Sequence, residues 1–423
     1  MSYLGTTKIG KMFLGSTEIA KAYLGNDLVY QKGGGSSVVP YVRNTVGTGN
    51  GSYIDTGITP DNTTRVIVWA RNWNPNSGYL FGSRVALNDH MFSLFANSGG
   101  QSGSVGLYYN SSLTSMGDCF RYLSGYHKYE LNNNALYIDD VLVGSATSAN
   151  FSNVHNIHLF GMNNGGTHIN PTYPIDICKV EIWKGGSIVR YFTPVESPSV
   201  GFYDSITETV FTNAGAGSFT YGTFDKNAYE PLEYIEANGN QYFDSGIHGT
   251  QALPFVFKYR PNVGTGYQQM FGVRTSSSSK RYELSLGNNT TAAKVLTSAY
   301  NTGTQNYDNG SSMNGNTYVA VKGTNVVTLY LQGNSYPMTS KSTLTHTAAT
   351  FETDYNIFVG ALNSATAAVN KFTGRYYFLG FGSSRNFVPA KVNGVAGMYD
   401  TYGDQFYPSV TDTPFIAGTS LAS

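Results

Sequence analysis

Six short blocks occur twice in this chain, in the same order and at a nearly constant spacing. Tyr53-Ile54-Asp55-Thr56-Gly57-Ile58 returns as Tyr242-Phe243-Asp244-Ser245-Gly246-Ile247, and Phe81-Gly82-Ser83-Arg84 returns as Phe271-Gly272-Val273-Arg274. Leu136-Tyr137-Ile138 matches Leu329-Tyr330-Leu331, and Asn156-Ile157 with Asn163 matches Asn356-Ile357 with Asn363. Arg190-Tyr191-Phe192-Thr193-Pro194 matches Arg385-Asn386-Phe387-Val388-Pro389, and Gly201-Phe202-Tyr203-Asp204 matches Gly397-Met398-Tyr399-Asp400. The offset drifts only between about 190 and 200 residues, as small loop insertions would make it. A chain of this kind folds as two copies of one plan, residues 38–222 and 231–423 with a linker at 223–230. Each copy is long enough to bury its own core.

Within the copies the apolar segments are short, β-branched and aromatic. Arg65 to Ala70, Ala135 to Ile138, Val180 to Trp183 and Asn325 to Leu331 are runs of this type, bounded by Asn, Gly, Ser and Pro. No segment repeats apolar residues with a period of 3.6. The 49 Gly, 33 Tyr and 24 Phe, against only 12% charged residues, suit strands and tight turns, whereas long surface helices carry more Glu, Lys and Ala. The expected class is all-β, each copy a two-sheet sandwich of jelly-roll type.

Charge narrows the function. With 26 basic and 26 acidic side chains the chain is neither a basic nucleic-acid binder nor an acidic tail. Cys119 and Cys178 have no CxxC around them and read as two separate buried thiols rather than a zinc or redox motif. Lys8, Lys11, Glu18, Lys21 and Asp27 interrupt any apolar stretch near the N-terminus, and no uncharged apolar run reaches about 18 residues. Neither a signal peptide nor membrane insertion is expected.

Residues 1–32 repeat with a period of ten. Tyr3-Leu4-Gly5 with Ile9, Phe13-Leu14-Gly15 with Ile19, and Tyr23-Leu24-Gly25 place aromatic, Leu, Gly and Ile at fixed positions. Gly followed by Ser, Thr or Asn reads as a turn, and the flanking residues read as short strands of a small meander. So few residues cannot bury a core, so the segment is expected to dock on a partner or on copies of itself, with Tyr3, Leu4, Ile9, Phe13, Leu14, Ile19, Tyr23 and Leu24 as contacts. A flexible tail is the alternative, although such tails seldom repeat aromatics at fixed spacing. Residues 33–37, Gly-Gly-Gly-Ser-Ser, form a flexible hinge.

Catalytic and metal motifs are missing. A Glu-x-Asp-x-x-Glu strand, GxSxG, GxxxxGK[ST], HExxH and EF-hand loops do not occur. Asp176 and Glu181 are five positions apart, which on a regular strand puts them on opposite faces. His155 and His158, three apart, should diverge likewise. Asp55, Asp244, Asp204 and Asp400 read as turn-closing residues. No cofactor, metal or catalytic group is expected. For binding, a sugar site needs an aromatic platform beside amide or carboxylate groups on a loop-built rim. Trp73, in an Asn- and Pro-rich loop, and Asn163, Asn164 and His168 are the candidates in the first copy, with a plain capping role for Trp73 as the alternative. Trp69 and Trp183 lie in apolar strands and read as core.

The stretch from Leu232 to Ile247, and that from Val189-Arg190-Tyr191-Phe192-Thr193-Pro194 through Phe219-Thr220-Tyr221-Gly222, resemble the opening and closing motifs of the laminin-G or concanavalin A-like lectin/glucanase superfamily of gut bacteria and their phages. The resemblance covers about nine tenths of the chain and implies two tandem concanavalin A-like jelly rolls; the fold serves lectins, hydrolase accessories and spacers alike. The decapeptides resemble N-terminal stretches of structural proteins in crAss-like tailed phages, where they attach a fibre or decoration to the virion. Together the resemblances imply a non-enzymatic virion protein, a head fibre or capsid decoration at the virion surface. It would be homotrimeric, bound to capsid, decoration or tail proteins through residues 1–32, and would offer its sandwiches to host-surface glycans. A tail fibre or receptor-binding protein, a bacterial surface lectin and a glycoside hydrolase are the other readings. The hydrolase would need paired carboxylates.

Overall fold

Strand Arg65–Arg71 shows how sequence becomes sandwich. Val66, Val68 and Ala70 are fully buried in the first core, while Arg65, Ile67, Trp69 and Arg71 face the other way. It pairs with His127–Asn132 on one side and Asp176–Lys184 on the other. The larger sheet of ten strands then runs out through Ser187–Val195, Gly201–Asp204 and Thr209–Thr212. A second sheet of eight, centred on Tyr79–Arg84, Met91–Ala96 and Val105–Asn110, covers its apolar face. Phe81, Phe92, Leu94, Leu107 and Tyr109 from that sheet meet Val66, Val68, Tyr129 and Ile182 from the first in one core.

The second copy repeats this order around Phe255–Pro261, with sheets of eleven and eight strands and a core holding Phe255, Phe257, Tyr259, Phe271 and Phe387. The protein is all-β, and its two bodies are tandem jelly-roll sandwiches. This computed structural model describes residues 37–421 except 47–50, 98–101, 124, 263–266, 276–278, 289–290, 333–337 and 366. It also describes six short strands within residues 3–31. Among the described residues no helix is long and apolar enough to cross a membrane.

The N-terminal strands form three separate two-stranded ladders rather than one meander, which corrects the sequence expectation. Tyr3–Leu4 pairs with Thr7–Lys8, Phe13–Leu14 with Thr17–Glu18, and Lys21–Leu24 with Asp27–Gln31. Pairing Leu4 with Thr7, Leu14 with Thr17 and Leu24 with Asp27 leaves two residues beginning with Gly between partners, so each ten-residue unit closes on itself. Tyr3, Leu4, Phe13, Leu14, Tyr23 and Leu24 are in these strands. Ile9, Ile19 and residues 33–36 of the hinge lie outside the described residues.

Among the described residues the sandwiches meet in two places. A 3-10 turn at Phe120–Tyr122 sets Phe120 against Val256, Val319, Met338 and Phe378 of the second sandwich, the Phe120 and Phe378 rings 5.7 Å apart. Lys258 pairs with Asp118 beside them. The second contact is ionic: Arg71 donates to both oxygens of Asp404, at 2.6 and 3.1 Å, and Asn72 Nδ2 donates to the Thr401 carbonyl at 3.0 Å. Arg71 stays oriented because Asp176, fully buried, accepts its Nε at 2.9 Å and also both Arg43 Nε and Nη2, at 2.6 and 2.9 Å.

Candidate functional site

Trp73 is not a platform. It is fully buried, edge-on to Tyr129 at 5.0 Å, and its Nε1 donates to the Gly78 carbonyl at 3.1 Å. The sequence reading of an exposed Trp73 is corrected: the Asn and Pro around it shape the turn that tucks the indole into the sandwich. Trp69 and Trp183 are corrected in the opposite sense. Both are half-buried on the outward face of the larger sheet, since each alternates with core residues Val68, Ala70 and Ile182. Their rings are already covered, with Lys179 Nζ 4.0 Å from the Trp69 ring centre and the Arg65 guanidinium 5.7 Å from that of Trp183. A sugar stacking there would have to displace these cations.

Asn163 and His168 are brought together, with His158, Tyr53 and Asp55. Strand pairing puts Asn163 opposite His168 and His158 opposite Asp55. The two imidazoles touch through their Nδ1 atoms at 3.2 Å, and Tyr53 stacks on both rings, at 4.4 and 4.0 Å. Asn163 Nδ2 donates to the Asn156 carbonyl at 3.1 Å and contacts His158 Nε2 at 3.1 Å, which assigns the His158 proton to Nδ1 and makes His168 Nδ1 the acceptor. Asn164 accepts from Arg84 Nε at 2.7 Å and stands apart. The second copy keeps Asn363 and Asp244 but has Phe358 and Ala368 where the first has His158 and His168. The cluster is therefore a packing solution that one copy makes from imidazole and the other from hydrocarbon.

The imidazoles carry a pH signature. Burial lowers both, to about 4 for His158 and about 3 for His168, whose neighbour's charge lowers it further. Unfolding restores an ordinary value near 6.5, so above that pH neither state takes up protons and stability is unaffected. Below it the unfolded chain binds two protons that the native rings refuse. The first sandwich should therefore lose stability as pH falls from 6.5 towards 4, with a slope approaching about 2.7 kcal/mol per pH unit. His158→Phe with His168→Ala, the second copy's solution, should flatten this slope. Urea midpoints between pH 7 and 4 read it, and an unchanged slope in the double variant would refute the assignment.

Among the described residues the carboxylates weighed for catalysis are engaged in structural pairs. A β-bulge between Ile177 and Lys179 shifts the register by one, so Asp176, opposite Arg71, shares a face with Glu181, opposite Ile67; this corrects the expected opposite faces. The two remain four strand positions apart, roughly 13 Å. Asp176 is held by two arginines, and Glu181 pairs with Lys179 at 2.7 Å. Glu283, buried and pushed up to about 7 by desolvation, feels Arg274 and Arg281 as its neighbouring charges. Asp55 and Asp244 accept from the backbone of Gly57 and Gly246, at 2.9 and 2.8 Å, as turn-closing residues do. Asp204 and Asp400, both fully buried, accept two and three backbone N–H groups. Cys119 and Cys178 are buried free thiols. No cluster of three His, Cys, Asp or Glu able to hold a metal occurs among the described residues.

Sequence reasoning missed a cleft at one end of the second sandwich. Three loops build it: Thr250-Gln251-Ala252 after strand Phe243–Thr250, Thr324-Asn325 before Val326–Leu331, and Ala348 to Glu352 leading into Glu352–Val359. Its volume is about 670 Å³, within the range of small-molecule sites. Lys322 fixes two of the loops from below. It is 2% exposed, and its ammonium shares its three protons among the carbonyls of Gln251, Leu253, Gly323 and Thr324, at 2.6 to 3.0 Å. Burial pushes this amine down to about 8, which still leaves it charged at pH 7. No motif marks the cleft, because its loops consist mostly of Thr, Ala, Asn and Gln, with Phe351 and Glu352, from three distant parts of the chain.

No family model matches the chain, and no curated protein matches it. Solved structures give remote likenesses. Domains LG4-5 of the mouse laminin alpha1 chain are 12% identical over 92% of this chain and 93% of that one, with a TM-score of 0.25. The LG1-3 region of the laminin alpha2 chain is 11% identical over 91% and 69%, with a TM-score of 0.32. The binding domain of botulinum neurotoxin serotype D is 12% identical over 93% and 90%, with a TM-score of 0.23. At these scores none of the likenesses bears on what the chain binds, and the jelly-roll assignment rests on the strand order and core described above.

Proposed function

We propose that this is a non-enzymatic adhesion protein of a tailed-phage particle, a head fibre or capsid decoration held by its N-terminus and presenting two lectin-like sandwiches to glycans of the host surface. One observation carries the reading: among the described residues the decapeptide hairpins pair within themselves and with no strand of either sandwich. An isolated two-stranded hairpin is marginal at best in water, so three in succession call for a protein surface on which to order. Self-association through them, as a trimer, supplies such a surface, and a capsid or tail protein supplies another. The resemblance of the decapeptides to N-terminal stretches of phage structural proteins supports the same assignment.

Deletion of residues 1–32 tests it. The full chain should run as a trimer by light scattering and the deleted chain as a monomer with both sandwiches folded. Particles assembled with the deleted chain should lack the protein. A full chain that is monomeric and is incorporated equally well with or without the segment would sink the anchor.

A further inference from the structure

We infer that the cleft between Gln251, Asn325 and Phe351 of the second sandwich binds a neutral saccharide, an inference that rests on the adhesion reading above and names its site. Gln251 is 6% exposed; its Nε2 donates to Asn325 Oδ1 at 2.7 Å, and its Oε1, buried, has no partner. Gln251 lines the cleft, so a ligand hydroxyl that draws its side chain away from Asn325 supplies the donor this acceptor lacks. Half-buried Phe351 adds an apolar ring to the same wall, with Ala348 and Ala349 beside it leaving room. A ligand carrying hydroxyl donors next to a C–H face meets both demands, and that combination is a pyranose.

The electrostatics select against charged ligands. Lys322 lies under the floor, and two of the carbonyls it holds belong to the lining residues Gln251 and Thr324, so a cation or amine entering the cleft meets an ammonium behind them. At the mouth Glu352, exposed and 3.8 Å from His248, opposes an anion. The ammonium of Lys322, shared among these carbonyls, also holds the rim in one shape before the ligand arrives, which lowers the ordering cost of binding. In the first copy the position equivalent to Lys322 by strand pairing is Leu131, a core residue, so this arrangement belongs to the second copy alone.

The test uses the full chain on an array of neutral and acidic bacterial polysaccharides, with Ala348→Trp and Phe351→Ala beside the parent. Ala348 is exposed, so its replacement fills the cleft without touching the core. Both variants should bind the neutral polysaccharide at least about tenfold more weakly, the scale of one lost polar contact or more, and Ala348→Trp should melt with the parent. Unchanged glycan affinity in Ala348→Trp would overturn the cleft and leave adhesion standing. Binding confined to acidic polysaccharides or to cationic ligands would overturn the neutral-sugar assignment. Attachment to host cells with no array binding would overturn the saccharide but not adhesion, and failure to bind cells as well would overturn both.

Discussion

Asp176→Ala should destabilise the first sandwich by about 3–5 kcal/mol, the cost of removing one partner from a buried ionic cluster. Asp176 is fully buried and accepts from Arg43, Arg71 and Asn72, the last at 2.8 Å. Its loss leaves Arg71, 3% exposed, with Asp404 of the second sandwich as its remaining carboxylate, and takes from Arg43 the carboxylate that both its Nε and Nη2 bind. The effect can be read on one sandwich alone, because the three tryptophans, Trp69, Trp73 and Trp183, all belong to the first. Fluorescence-detected urea unfolding should show the drop, and limited proteolysis should cut the segment between Asp225 and Glu230 faster. Asp176→Asn, which keeps the shape and loses the charge, should fall between. An unchanged midpoint in the alanine variant would mean that the cluster adds nothing to stability.

Lys322→Met should be nearly as damaging to the second sandwich, by about 3 kcal/mol. The methionine fills the volume, but four carbonyls lose their donor, and an unsatisfied buried polar group costs about 1–3 kcal/mol each, reduced here where water can reach Gln251 and Thr324 from the cleft. Calorimetry should show the second sandwich melting earlier while the tryptophan signal of the first keeps its midpoint. A variant as stable as the parent would show that water or loop movement satisfies all four carbonyls.

How much of this was legible in the sequence varied with the physics involved. The duplicated blocks are legible because they are the local chemistry of strand ends: Asp55 and Asp244 close the same turn, and Asp204 and Asp400 cap the same backbone donors. Strand existence was legible too. The face each tryptophan takes was not, because Arg65 to Ala70 is apolar at nearly every position and alternation alone does not say which set is inside. Asp176 and Glu181 eluded the counting rule because one bulge changes parity along the strand. The cleft was invisible for a different reason: Gln251, Asn325 and Phe351 meet only through the closing of loops some 25 to 100 residues apart, a tertiary fact with no local signature.

The plug of Phe120 in the second sandwich gives the tandem a direction. It rests on Val256, Val319 and Phe378; strand pairing shows that the first sandwich has Ile67, Lys128 and Lys179 at the same three places, flanking Trp69 where the second has Lys258. One sandwich thus has a receiving surface of hydrocarbon and the other a terminal surface of ammonium-capped aromatic rings, as the end unit of a stacked array requires. The order of the two is consequently not interchangeable. A chain in which they were exchanged would carry Phe120 away from the joint with its own sandwich, turn the lysines towards the incoming unit and leave the valines uncovered at the free end, a sticky terminus in place of a soluble one.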